Sequence, residues 1–261
     1  MLKKSFNFAA VVLAAVTVIG LSSCKDEVRY SCDPTIDAVI RQNLPKYEGM
    51  TREEWKNLPD SLKDAAFVAM KPEVKKEFWF GKLKEIKEAK FFNDSEKEHI
   101  SKLYEYVLSI DYLYTDKYKD DSPEMQGLFD YYKEWAFYGV DNLKWDVVDI
   151  FLIAEDKEEL DENYIEHVKQ NAQSQTELEH ADGGNGGKPK CNCEWDIGCA
   201  GTGYCSKKID CDVKRDCGIF GAFNCTKRCT EPYTLPNGQS GNLVEYSNQR
   251  ELLEYMFIKK D

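Results

Sequence analysis

Eight of the ten cysteines in this 261-residue chain crowd into residues 191–229: Cys191, Cys193, Cys199, Cys205, Cys211, Cys217, Cys225 and Cys229. Thiols at this density either hold a metal as thiolates or oxidise to disulfides. Their spacing, C-x-C-x5-C-x5-C-x5-C-x5-C-x7-C-x3-C, lacks the paired C-x2-C of a zinc ribbon. The three histidines, His99, His167 and His180, all lie outside the stretch. That pattern points to disulfides and to no metal. The stretch also needs staples, because its apolar side chains are few: Trp195, Ile197, Tyr204, Ile209, Val213, Ile219, Phe220 and Phe223. So small a set cannot offset the entropy of ordering about 40 residues. Four disulfides are expected, with on the order of a hundred pairings left open.

Disulfides require an oxidising compartment, and the N-terminus supplies the route to one. Lys3 and Lys4 precede an apolar run over residues 8–21, then Ser22-Ser23-Cys24. The run is too short to span a bilayer and ends in small residues, as a signal peptide does. Leu21-Ser22-Ser23-Cys24 resembles a bacterial lipobox, which implies that residues 1–23 are removed and Cys24 is acylated. More than one acyl chain there would anchor the protein stably. Lys25-Asp26-Glu27 resembles the charged tag that sends lipoproteins of Bacteroidetes-type bacteria to the outer face of the outer membrane. The expected location is therefore the outer membrane, lipid-anchored and exposed at the cell surface. Outer-membrane lipid is one expected partner.

The elements that must carry the cysteine stretch are helical. Residues 24–32 read as a tether and 33–180 as a helical domain. Asp33-Pro34 is an N-cap with proline at N1, and Thr51-Arg52-Glu53-Glu54 is a capping box. Ser61, Lys71-Pro72-Glu73 and Ser122-Pro123-Glu124 open further helices. Ile100, Leu103, Tyr104, Val107 and Leu108 form the cleanest stripe at helical spacing. The aromatics Phe78, Trp79, Phe91, Phe92, Tyr104, Tyr106, Tyr112 and Tyr114 read as core or half-buried helix faces, with a ligand-binding wall as the alternative. His99 and His167 sit among charged helical residues and read as solvated.

Residues 181–190 form a linker: Gly183, Gly184, Gly186 and Gly187 with a proline between lysines cannot build an element interior. Exposed backbone of this kind is a candidate cleavage region. Glu177-Leu178, placed eight and seven residues upstream of a cut after Gly184, resembles part of a double-glycine leader. The site lies deep in a chain with its own signal peptide, which favours a plain linker. Residues 191–229 form the disulfide knob and 230–261 a tail, whose helix through Leu243, Leu252, Leu253, Met256 and Ile258 docks back on a domain or stays amphipathic. The fold class is thus a mainly α N-terminal domain plus a small, disulfide-rich, loop-dominated C-terminal domain.

The chain carries 35 basic and 47 acidic residues; without Lys3 and Lys4 the balance is 33 to 47, a net of −14. So acidic a surface excludes nucleic acid as a partner. Residues 188–229 run the other way, with eight basic against five acidic side chains. A mildly cationic knob therefore sits on an acidic carrier. No nucleophile elbow, H-E-x-x-H helix or phosphate loop occurs, so no catalytic residue, cofactor or enzymatic activity is expected. Cys32 is the odd thiol once Cys24 is acylated and the other eight pair.

The opening Cys191-x-Cys193 and the Cys217-Gly218 step ahead of Phe220 resemble fulvocin C, a small bacteriocin with eight cysteines in four disulfides. The whole chain resembles the bacteriocin fulvocin C-related lipoproteins, in which a helical region precedes a C-terminal cysteine block. Lys71-Pro72-Glu73-Val74-Lys75 belongs to the same resemblance. Unlike the toxin, this chain is lysine-rich in the block and continues for 32 residues after Cys229. The resemblance implies interbacterial competition, by a lipoprotein that displays or releases a stapled antimicrobial peptide against an envelope component of a neighbouring bacterium. Two other readings stay open. The knob is a surface binding or adhesion module with a rigid tip and no release, or the acidic helical region is a pro-region that shields the block.

Overall fold

Polar residues that punctuate the sequence become helix caps in the computed structural model, which describes residues 28–174, 191–192, 204–231 and 243–258. Asp33 accepts from the backbone amides of Thr35 and Ile36 and opens α1 (Pro34–Gln42), with Pro34 at the position that needs no donor. After the short α2 (Leu44–Glu48), Thr51 and Glu54 close a capping box on α3 (Arg52–Lys56). The next helix, α4 (Asp60–Ala69), begins before Ser61 and has Pro59 at its N-cap with no side-chain cap. Helix α5 (Pro72–Glu88) follows Lys71 as expected. Asn93 and Glu96 form a second capping box on α6 (Asp94–Leu108), and Ser122 caps α7 (Pro123–Tyr138). A π-helical turn (Gly139–Leu143) leads to α8 (Val147–Ala154), whose box is Asp146 with Asp149, and then α9 (Glu162–Ser174).

These helices bury one continuous core. The α6 stripe of Ile100, Leu103, Tyr104, Val107 and Leu108 is buried against α5 and α7. Helix α8 is the central element: Val147, Val148, Ile150, Leu152, Ile153 and Ala154 are all inside, so it is apolar nearly all round. One charged joint ties α3 to α5. Arg52 is buried, pairs with Glu85 through bonds of 2.9 and 2.7 Å, and donates to the carbonyls of Lys157 and Glu158 beyond α8. Its guanidinium also lies 4.7 Å from the centre of the Phe78 ring. The two-toothed geometry suits arginine and not lysine.

The π turn exists because the chain must pass under Trp145. A Cβ on Gly139 would come within 2.3 Å of the Trp145 ring. That ring is buried and held by a 2.9 Å bond from its Nε1 to Glu96. Gly139→Ala will therefore cost about 1–3 kcal/mol of stability as overpacking, read as a lower urea midpoint at unchanged slope. A change under about 0.5 kcal/mol would mean that the ring has room to move.

The cysteine block is described along β1 (Cys191–Asn192), β2 (Tyr204–Cys217) and β3 (Phe223–Glu231), an antiparallel sheet in the order β1-β3-β2. Register sets Cys205 opposite Cys229 and Cys217 opposite Phe223, with irregularities along β2. This sheet does not stand apart from the helices, because β2 packs on α4. The tail docks as well. Helix α10 (Gln249–Ile258) lies on α7, the π turn and α8, and Phe257 meets Phe129 and Phe137 edge-on. Gln249 holds the junction: its Oε1 accepts from the Val147 amide at 3.1 Å and its Nε2 donates to the Leu243 carbonyl at 2.6 Å.

Candidate functional site: the tip of the cysteine block in a helical socket

Between β2 and β3 the sequence Gly218-Ile219-Phe220-Gly221-Ala222 makes a single 3-10 turn (Ile219–Gly221). Three of its residues have positive φ: Gly218 at 68°, Phe220 at 52° and Gly221 at 62°. Glycine takes this conformation freely, but a bulky residue there is strained by about 1–3 kcal/mol and needs surroundings that hold it. The helical body provides them. Ile219, Phe220, Ala222 and Phe223 are fully buried, and they share the core with α4 to α8.

The socket is aromatic. Phe220 meets Trp79 of α5 at 4.7 Å and Tyr104 of α6 at 4.5 Å, both ring pairs at 86°. Such edge-to-face pairs add about 0.5–1.5 kcal/mol each beyond area burial. Tyr114 Oη donates to the Phe220 carbonyl at 2.8 Å, and Tyr104 Oη donates to the Ile153 carbonyl at 2.8 Å. Phe67 of α4 closes the far side, against Trp79 and Tyr114. Burial pushes the Tyr104 and Tyr114 phenols well above their ordinary value, so both hydroxyls stay donors.

The tip of the block, Ile219 to Phe223, is part of the helical core. A block with so few apolar residues cannot bury Ile219, Phe220 and Phe223 within itself, so it borrows the socket. His99, expected to be solvated, is instead half-buried, stacked on Trp135 at 5.3 Å and tilted against Tyr138 and Trp145. Its Nε2 donates to the Trp135 carbonyl at 3.0 Å, and burial lowers its pKa. Every one of its ring partners comes from more than 30 positions away, which periodicity does not reveal. His167 is exposed.

Among the aromatics, Phe78, Trp79, Tyr104 and Tyr114 are core, as expected. Phe91 and Phe92 line a cleft of about 570 Å³ together with Trp145, Glu96, Asp149 and Lys169. The charged lining is engaged in structure. Glu96 caps α6 and accepts from Trp145, while Lys169 bridges Asp146 at 2.8 Å and Asp149 at 2.6 Å. Burial and the Asp146 carboxylate push Asp149 up to about 6. Burial pulls Lys169 down, but the Asp149 and Asp146 carboxylates outweigh it and the net shift is upward.

No family model, curated protein or solved structure matches this chain.

Of the remaining site residues, Cys24 and the glycines 183, 184, 186 and 187 lie outside the described residues, as do Cys193 and Cys199. The other block cysteines lie in β1, β2 and β3 as backbone only, so their pairing also falls outside the described residues. Cys32, the thiol that the sequence left over, is disulfide-bonded. No group of three or more His, Cys, Asp or Glu side chains among the described residues is arranged to hold a metal ion. No helix among the described residues is long and apolar enough to cross a membrane.

Proposed function

We propose that this chain is a lipid-anchored surface protein of interbacterial competition, in which an acidic helical body carries and shields a small disulfide-rich, bacteriocin-like block. The observation that supports carriage over free release is the buried tip: Phe220 seated between Trp79 and Tyr104 with its carbonyl bonded to Tyr114. Cutting the linker at 181–190 would leave the tip's burial intact, so cleavage alone does not free the block. The opposite charges of body and block favour the same association. Cys24 joins the protein to outer-membrane lipid, and the target is an envelope component of a neighbouring bacterium. No enzymatic step is assigned to it. A pure adhesion tip is less favoured, because the turn that carries Ile219, Phe220 and Phe223 is turned inward.

The test is co-culture of related strains with a producer and with its deletion mutant, alongside intact-mass measurement of medium and surface fraction. The expected result is inhibition that disappears with the gene, together with an uncut, acylated chain at the surface. A free fragment in the medium beginning within 183–190 would replace carriage by release. Unchanged competition after deletion would overturn the antibacterial reading.

A further inference from the structure

We infer that Cys32 is bonded to a cysteine of the 191–229 block, so that a disulfide as well as the linker joins the block to the helical body. Cys32 is in a disulfide, and the chain holds nine other cysteines: Cys24 and the eight of the block. The partner is therefore Cys24 or a block cysteine. Acylation would consume the Cys24 thiol, and the inference rests on that part of the functional reading.

The fold supports the block independently. Residues 28–32 are folded back along α1: the Tyr30 amide donates to Asp37 at 2.8 Å, and Arg41 donates to the Val28 carbonyl at 2.6 Å. Cys32 is thereby fixed, half-buried against the core, at the start of α1. Helix α1 packs on α4, and β2 of the block packs on the same helix. One element thus holds both the segment that carries Cys32 and the strand that carries Cys205, Cys211 and Cys217. In the register, Cys205 lies opposite Cys229 of β3.

The arithmetic changes with this bond. With Cys24 acylated and Cys32 drawing on the block, seven block cysteines remain, an odd number. Three pairs then close within the block and one thiol is left there. The block is not the self-contained four-disulfide unit that its cysteine count suggests.

The experiment uses the full acylated chain from detergent-solubilised membranes, carrying a site-specific protease sequence within 183–187. Free thiols are alkylated in denaturant without reductant, the linker is cut, and the products are compared on gels and by peptide mass. The expected result is one species without reductant that splits in two with it. A cross-linked pair joining the Cys32 peptide to a block peptide, and one alkylated block cysteine, should accompany it. The Cys32→Ser chain, cut in the same way, should separate without reductant. A Cys24–Cys32 peptide would overturn both the inference and the acylation of Cys24. An acylated Cys24 peptide with a wild-type chain that separates unreduced would overturn the inference and leave the anchor standing.

Discussion

Phe220→Ala will lower the stability of the oxidised protein by about 3–5 kcal/mol, the range for removing a fully buried aromatic ring. The ring fills the space between Trp79 and Tyr104, so its loss leaves a cavity lined by two large rigid rings that cannot collapse inward. Backbone conformation makes a second substitution informative. Position 220 has φ 52°, which costs an alanine about 1–2 kcal/mol and a glycine almost nothing. Phe220→Gly should therefore be the milder of the two, although it removes more atoms. Urea unfolding with disulfides intact, followed by tryptophan fluorescence, reads both. Chymotryptic cleavage of the block should accelerate in the same order, because the tip would open locally before the body unfolds. A loss below about 1 kcal/mol, or alanine milder than glycine, would show that the socket does not hold the tip.

The socket also marks the limit of what the sequence discloses. Asp33, Thr51 and Ser122 were legible as caps because a cap is a local contract between a side chain and amides two or three residues on. The α6 stripe was legible because its period matches the helix. Ser61 misled because Asp60 and Pro59 beside it begin a helix equally well without a side-chain cap. Nothing local announces that Phe220 belongs with Trp79 and Tyr104, more than 100 residues away. The one signal was compositional. Gly218-Ile219-Phe220-Gly221 places two apolar residues between turn-forming glycines in a block that has no core of its own, and such a turn must find its burial elsewhere. Lys82 escaped for the opposite reason: a lysine between helix formers reads as solvated, and only the packing of α8 across α5 encloses it.

Lys82→Met will change the pH dependence of stability more than any surface substitution. Lys82 is fully buried on α5, and its Nζ donates to the carbonyls of Leu152 at 2.6 Å and of Asp156. The Leu152 carbonyl lies in the last turn of α8 and the Asp156 carbonyl just beyond its end, where intrahelical partners run out and a positive group is favoured. Burial pulls the Lys82 ammonium down to about 7, against the upward pull of the Asp156 carboxylate. The unfolded chain keeps that proton up to the ordinary lysine value of 10.5. Between these two pH values the unfolded state binds more protons than the folded one, so this group makes stability rise with pH. A separation of roughly 3.5 pKa units corresponds to about 5 kcal/mol over the window. Methionine keeps the apolar stem and removes the charge, but it leaves two carbonyls unsatisfied at about 1–3 kcal/mol each. At about pH 7 the relief of the buried charge offsets that loss, and the two chains should be close in stability or the variant more stable. Near pH 10 the wild type carries a neutral amine that still donates, so the variant should be weaker by several kcal/mol. Urea midpoints for both chains at intervals across this range, compared as differences so that shared titrations cancel, decide the matter. Parallel curves would mean that Lys82 keeps its proton in the folded state throughout, and that the two carbonyls are held by a buried ammonium ion.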